Sequence, residues 1–265
     1  RLYYMKKHSH TAVSFRLKSI IFFVAALVLC AALSLCAYTS GAYAVFYGGT
    51  SRKLPVYSVG REDKAISITF DCAWGADHTD DILSALKDYG VRATFFMVQF
   101  WAEKYPEYVE KIAEYGNEIG THSKTHPHMP KLSAEEITAE LKSSSAAITD
   151  VTGKQVELFR PPFGDYDNKL ITAAEELGLY TIQWDVDSLD WKDLSASDIA
   201  VRVTGRVKSG SIILMHNNGM HTAEAVPIIL QTLIERGYTF VPVGELIYRE
   251  NYYIDVSGRQ MPYSN

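Results

Sequence analysis

The 265-residue sequence predicts an α/β fold built on a mainly parallel sheet and preceded by an apolar N-terminal helix. Three observations predict it. From residue 65 onward, short apolar runs alternate with amphipathic helical patterns about seven times, the order that yields a parallel sheet. Polar clusters recur at the C-terminal ends of the apolar runs, the edge where parallel α/β proteins carry their active sites. No charged residue lies between Lys18 and Arg52. The first two observations fit either a barrel or an open doubly wound sheet.

The N-terminal part is read first. Residues 1–18 form a basic segment holding Arg1, Lys6, Lys7, Arg16 and Lys18, and Met5 before Lys6-Lys7 reads as a start of translation. Residues 19–44 read as a transmembrane anchor or a signal peptide. Ile20 to Tyr38 is apolar apart from Ser34, and nineteen helical residues reach roughly 28 Å at about 1.5 Å each. Because all charges upstream are basic, the N-terminus is expected in the cytoplasm and the domain outside. A single-pass anchor is the first reading. Cleavage after Ala44, at Ala42-Tyr43-Ala44, is the alternative and would release a secreted domain. Residues 45–63 read as a linker, 64–248 as the globular domain and 249–265 as a polar tail.

Within the domain the elements follow in order. Ala65–Phe70 suits a strand, and Ile82, Leu83 and Leu86 give Thr79–Tyr89 a helical period closed by Gly90. Ala93–Val98 reads as strand, Tyr108–Tyr115 as helix and Glu118–Thr121 as a short strand. Ser133 and Glu136 form a capping box that opens a helix to about Val151. Strand Glu157–Arg160, helix Asn168–Leu177 and strand Tyr180–Asp185 continue the alternation. A helix opened by Ser195 and Asp198, strand Ser211–Met215, helix Thr222–Arg236 and strand Thr239–Val241 complete it.

Composition excludes one class of function. Five of the 26 basic residues and none of the 31 acidic ones fall in residues 1–51. The remainder carries 21 basic against 31 acidic residues, a poor surface for neutralising phosphates, so no nucleic acid is expected. Cys30 and Cys36 lie in the apolar span and Cys72 is alone in the domain. No disulfide can therefore form inside the domain.

The polar clusters suggest chemistry. His122 and His126 are four residues apart, between Gly120 and Pro127, as a metal-binding pair or as two solvated loop histidines. Asp71 ends an apolar strand, where an unpaired carboxylate is costly. It reads as a helix cap, an ion-pair partner or a general base. Arg160 heads Arg160-Pro161-Pro162-Phe163-Gly164 and could hold a carboxylate ionised. His216 closes the buried run Ile212–Met215, and Asp187 or Asp190 could keep it protonated as a general acid. Trp191 reads as core or as an aromatic face for a sugar ring.

Five segments occur in a set order: Thr69-Phe70-Asp71, His122-Ser123-Lys124-Thr125-His126, Arg160-Pro161-Pro162-Phe163-Gly164, Asp187-Ser188-Leu189-Asp190-Trp191 and Ile212-Ile213-Leu214-Met215-His216. From about Lys64 to Leu246 the chain resembles the polysaccharide deacetylases, the NodB-homology group of carbohydrate esterase family four, and in particular a sporulation-associated, clostridial branch. The resemblance implies a distorted (β/α)7 barrel. It implies that Asp71 is the catalytic base oriented by Arg160, and that His216 is the acid, tuned by Asp190 or Asp187. His122 and His126 would bind one divalent transition ion, zinc in the first instance. Phe163, Trp191 and Trp74 would meet substrate, with a backbone N–H near Phe163 helping to stabilise the oxyanion.

One position departs from the family pattern. A second aspartate usually follows the base and completes the metal triad, and here that residue is Cys72. Three expectations follow: replacement from the loop by Asp77 or His78, ligation by a Cys72 thiolate, or a weak or absent metal. The expected function is N-deacetylation of an extracytoplasmic cell-wall glycan, peptidoglycan in the first instance. The alternatives are a membrane-tethered glycan-binding or sporulation scaffold of the same fold, and an amidase acting on a small non-sugar amide.

Overall fold

The computed structural model describes residues 20–36 and 52–263. Two compact units divide after Arg52. In the first, residues 20–36 are helical with mostly exposed apolar side chains. Among the described residues no helix is long and apolar enough to cross a membrane. The basic segment 1–18, the cleavage site at Ala44 and most of the expected linker lie outside the described residues.

The second unit, from Lys53 onward, is a curled parallel sheet covered by helices. Its strands are β1 (Ser58–Val59), β2 (Ala65–Cys72), β3 (Thr94–Met97), β4 (Glu118–Thr121), β5 (Leu158–Phe159), β6 (Tyr180–Thr181), β7 (Val186–Asp187), β8 (Ile212–His216) and β9 (Thr239–Phe240). The main sheet runs β6-β5-β4-β3-β2-β8-β7, with β9 added beside the start of β2. All its pairs are parallel. Seven strand positions were expected and seven are found, with one correction. The strand expected at Tyr180–Asp185 is broken. Its first half pairs with β5 as β6, and residues 182–185 carry the chain across to β8, where it pairs as β7. One bent passage of chain thus serves both edges of the curled sheet, which is what distorts the barrel.

The helices are α1 (Thr79–Asp88), α2 (Gln99–Lys104), α3 (Pro106–Glu114), α4 (Ala134–Thr152), α5 (Asn168–Glu176), α6 (Ala196–Thr204), α7 (Thr222–Glu235) and α8 (Val243–Leu246). The Ser133 capping box forms, with the hydroxyl accepting from the Glu136 N–H and the Glu136 carboxylate accepting from the Ser133 N–H. Ser195 caps α6 with its hydroxyl accepting from the Asp198 N–H, and Asp167 caps α5. Helix α2, inserted before Tyr108, has no counterpart in the sequence reading; at six residues it is too short to show a period.

Two other expectations are corrected. Residues 53–63 are not a free linker, since Val56 and Val59 are buried and β1 docks on the barrel. The Val59 N–H donates to the Gly210 carbonyl at 2.8 Å. A Cβ on Gly210, whose φ is +80°, would lie 1.7 Å from the Val59 carbonyl oxygen, so only glycine permits this approach. Residues 249–263 are not a tail either. They form β10 (Tyr252–Ile254) and β11 (Arg259–Pro262), a hairpin whose second strand pairs with β1. Gln260 is wholly buried there and holds both backbone groups of Tyr248. The β1 partner of β11 lies some two hundred residues away, so no local period announces that pairing.

Strand β2 positions the site. Its eight residues are all buried, with alternate side chains on opposite faces. Ile66, Ile68, Phe70 and Cys72 pack into the large cluster shared with the helices. Each such fully buried aliphatic or aromatic side chain contributes roughly 1.5–3 kcal/mol. Ser67, Thr69 and Asp71 face the barrel interior, where they are hydrogen-bonded.

Candidate active site

The residues singled out in the sequence meet at the C-terminal ends of β2, β4, β5, β7 and β8. Asp71 accepts from Arg160 Nη1 at 2.8 Å, and its other oxygen lies 3.5 Å from His122 Nε2. Arg160 is wholly buried, also donates to Thr69 Oγ1 and the Gln183 carbonyl, and lies 4.1 Å over the Phe96 ring. Burial alone would raise the Asp71 carboxyl. The Arg160 guanidinium, helped by His122 and His216, outweighs it and holds the carboxyl below the ordinary aspartate value. Asp71 is therefore an ionised ion-pair partner; it caps no helix, since α1 begins at Thr79.

His216 is the in-register neighbour of Asp71 on the adjacent strand β8. Its Nδ1 lies 2.7 Å from Asp190 Oδ1, and its backbone N–H donates to Asp190 Oδ2 at 2.8 Å. Thr222 Oγ1 donates to the same oxygen. Burial would lower the His216 imidazole, but the bond and charge of fully buried Asp190 outweigh it and raise it above the ordinary histidine value. Asp187 does not touch the imidazole; its carboxylate accepts from the Leu189 N–H and shapes the turn. Of the two aspartates, Asp190 is the partner.

His122 Nδ1 lies 2.7 Å from the Arg160 carbonyl. A carbonyl can only accept, so Nδ1 carries the proton and Nε2 presents a lone pair toward Asp71. Burial lowers the His122 pKa. His126 is lowered to about 4, by burial first and His122 second. The two rings are 4.9 Å apart. Their loop is pinned by Glu140 of α4, which accepts from the backbone of Lys124 and Thr125, and by Ser123 Oγ, which accepts from the His126 N–H. Two neutral imidazoles beside a carboxylate suit a divalent ion.

The third ligand is where the expectation is corrected. Among the described residues no group of three His, Cys, Asp or Glu side chains could hold a metal ion. Cys72 follows Asp71 in a strand, so its side chain takes the opposite face. It is wholly buried in the hydrophobic cluster, 4.0 Å from the Phe70 carbonyl, and burial pushes its thiol well above the ordinary value. Cys72 thus packs in the core rather than beside the histidine pair. Asp77 is exposed, its N–H donating to Asn218 Oδ1, and His78 stands at the N-cap of α1. The loop that bears them is clasped: the Gly75 carbonyl accepts from both Trp101 Nε1 and Asn217 Nδ2. The residues present thus supply two imidazole donors and fit an ion only in part.

Three expected aromatics stand exposed: Trp74 (64%), Phe163 (56%) and Trp191 (57%). Trp74 and Phe163 meet the His126 ring at 4.9 and 4.5 Å. Phe163 is held at φ 59° and ψ 5°, a left-handed conformation that costs a bulky residue about 1–3 kcal/mol. Trp191 lies between left-handed Leu189 and Asp193, with the Lys192 ammonium 4.8 Å over its ring. It is not core. The sequence reading missed Thr222, Asn217, Gln183 and His128. Their partners are remote in sequence, and only His128, in the run His126-Pro127-His128, carried a local hint.

The comparisons agree with this geometry. The family model for polysaccharide deacetylase matches residues 58–182. The chain is 34% identical over 200 residues to the peptidoglycan-N-acetylglucosamine deacetylase PgdA of Listeria monocytogenes, covering 76% of this chain and 42% of that protein. It is 32% identical over 196 residues to a peptidoglycan-N-acetylglucosamine deacetylase of Bacillus cereus, covering 72% and 92%. The chain spans about half the length of the first curated relatives it matches, 42% of PgdA and 60% of the uncharacterized YlxY of Bacillus subtilis. Among solved structures, BA3943 of Bacillus anthracis, described as a CE4 family pseudoenzyme, matches with TM-score 0.70 and 33% identity over 72% of this chain and 68% of that chain. A mutant of it described as having restored enzymatic activity matches with the same TM-score at 34% identity. Fold, ordered motifs and relatives coincide, and the chain belongs to the polysaccharide deacetylases, the family-four carbohydrate esterases.

Proposed function

We propose that the domain hydrolyses the N-acetyl groups of hexosamine units in cell-wall glycan, peptidoglycan in the first instance. The observation that carries this is the pairing of Asp71 and His216 in register on adjacent strands, with partners that set opposite charge states. Asp71, kept ionised by Arg160, takes a proton from a water as its oxygen adds to the acetyl carbonyl. The tetrahedral intermediate collapses as His216, kept protonated by Asp190, gives its proton to the leaving nitrogen. The C–N bond breaks to acetate and a free amine. The Phe163 N–H is the proposed donor to the oxyanion. A divalent ion at His122 and His126, zinc first, would polarise the carbonyl and acidify its water. Acetate release from peptidoglycan and chitooligosaccharides, lost in Asp71→Asn, is the test; unaltered release by that variant would end the mechanism.

A second reading has one observation in its favour. Cys72 faces the core, so the usual third ligand is missing, and a domain of this kind could bind glycan without hydrolysing it. Wild-type protein that binds chitooligosaccharides but releases no acetate with zinc, cobalt or manganese supplied would establish that reading. The location of the domain belongs to the same proposal. The uncharged run from Ile20 to Tyr38, with basic residues only upstream, supports a membrane-held domain on the extracytoplasmic side. Protease added to protoplasts should remove it, and a mature N-terminus at Val45 would show cleavage instead.

A further inference from the structure

Phe163 is a large apolar side chain kept exposed by a backbone conformation that bulky residues avoid. Burial of its ring does not explain that conformation, since more than half of the residue is open to solvent. What holds the ring is a second device on separate chain segments. The His128 imidazole stacks on it at 4.3 Å between centroids, with 19° between the planes. His128 Nδ1 in turn lies 2.5 Å from Asp165 Oδ2. Asp165 is two residues past Phe163, so it ties the left-handed turn back to the histidine loop. A Cβ on Gly164, whose φ is 71°, would lie 3.1 Å from the Trp184 ring, so the turn favours glycine there.

An exposed His–Asp pair adds little to stability, and His128 takes no part in the acid–base chemistry. The pair is better explained by what it fixes. Resting on deacetylation of a glycan, we infer that His128 and Asp165 are positioning residues that hold the Phe163 ring as a stacking platform for the sugar next to the one being deacetylated. His128 stacks on the ring, His126 meets it at 72° between the planes, and more than half of the residue stays open to solvent. The apolar face of a pyranose suits such a surface, because aromatic rings combine large contact area with few torsions to freeze. The substrate class is thereby narrowed to chains, with a neighbouring sugar contributing to binding, rather than single amino sugars.

The test compares wild type with His128→Ala, Asp165→Asn and His128→Phe, a variant that keeps a ring to stack. Acetate release from chitopentaose is measured as kcat and KM. Calorimetry of chitopentaose on the Asp71→Asn background reads binding without turnover, and Phe163→Ala is added to that arm. His128→Ala and Asp165→Asn should raise KM and Kd about 3- to 10-fold. Thermal midpoints should stay close to wild type, and His128→Phe should restore binding. Unchanged KM and Kd in His128→Ala would overturn the inference, as would a fall in kcat alone. Should wild type release no acetate, the deacetylase reading fails, yet the calorimetric order of variants still decides the platform. No detectable chitopentaose binding by the Asp71→Asn protein would also overturn it.

Discussion

Replacing Cys72 by the aspartate usual in the family tests the geometry most sharply. If position 72 faced the histidine pair, Cys72→Asp would complete a triad and tighten zinc binding. The structure forecasts the opposite. Cys72 is wholly buried among Phe70, Met97 and other apolar side chains. Its charged neighbour in sequence, Asp71, repels a second anion. A buried carboxylate without a partner costs about 3–5 kcal/mol, against about 5–15 kcal/mol for the whole stability of a typical domain. Burial raises the pKa of such a group in the fold, so the unfolded chain binds fewer protons than the folded one above about pH 4. Its penalty should therefore be small below that pH and grow as pH rises. Urea unfolding of the domain at pH 4 and pH 7 reads both the loss and its direction, and calorimetry with zinc reads the site. A Cys72→Asp domain as stable as wild type at pH 7 and binding zinc more tightly would refute the assignment of Cys72 to the core face.

The other predictions concern the chemistry. The rate of acetate release should be bell-shaped in pH, needing Asp71 ionised and His216 protonated. Its acidic limb should lie below the ordinary aspartate value and its basic limb above the ordinary histidine value. Asp190→Asn should move the basic limb down and leave the acidic limb in place, whereas Asp187→Asn, which removes only a more distant charge, should move the basic limb down by less; reversal of the two would exchange their roles. His216→Ala should reduce kcat by about 10²–10⁴-fold, less on esters whose leaving group needs no proton, and an equal loss on both would argue against the general acid. Arg160→Met strands the buried Asp71 carboxylate and should cost about 3–5 kcal/mol in urea unfolding, so a stable, active variant would show that the ion pair is dispensable. Calorimetry should find divalent-ion binding abolished in the His122→Ala, His126→Ala double variant.

The sequence by itself determined what depends on local pattern. The seven strand positions announced themselves because buried parallel strands are short apolar runs. The capping box at Ser133 and the glycine closing Thr79–Tyr89 are written in adjacent residues. Asp71, Arg160 and His216 were visible as polar residues ending apolar runs, where an unpaired charge is costly. Tertiary structure alone decided the rest, for one physical reason: the deciding contacts join segments far apart in the chain. Asp71 and His216 become neighbours only because β8 pairs with β2. Asp190 rather than Asp187 reaches the imidazole because the turn after β7 spends Asp187 on its own backbone. The hairpin of β10 and β11 finds its place against β1 across most of the domain. His128 becomes the support of Phe163 only when the loops after β4 and β5 are brought side by side.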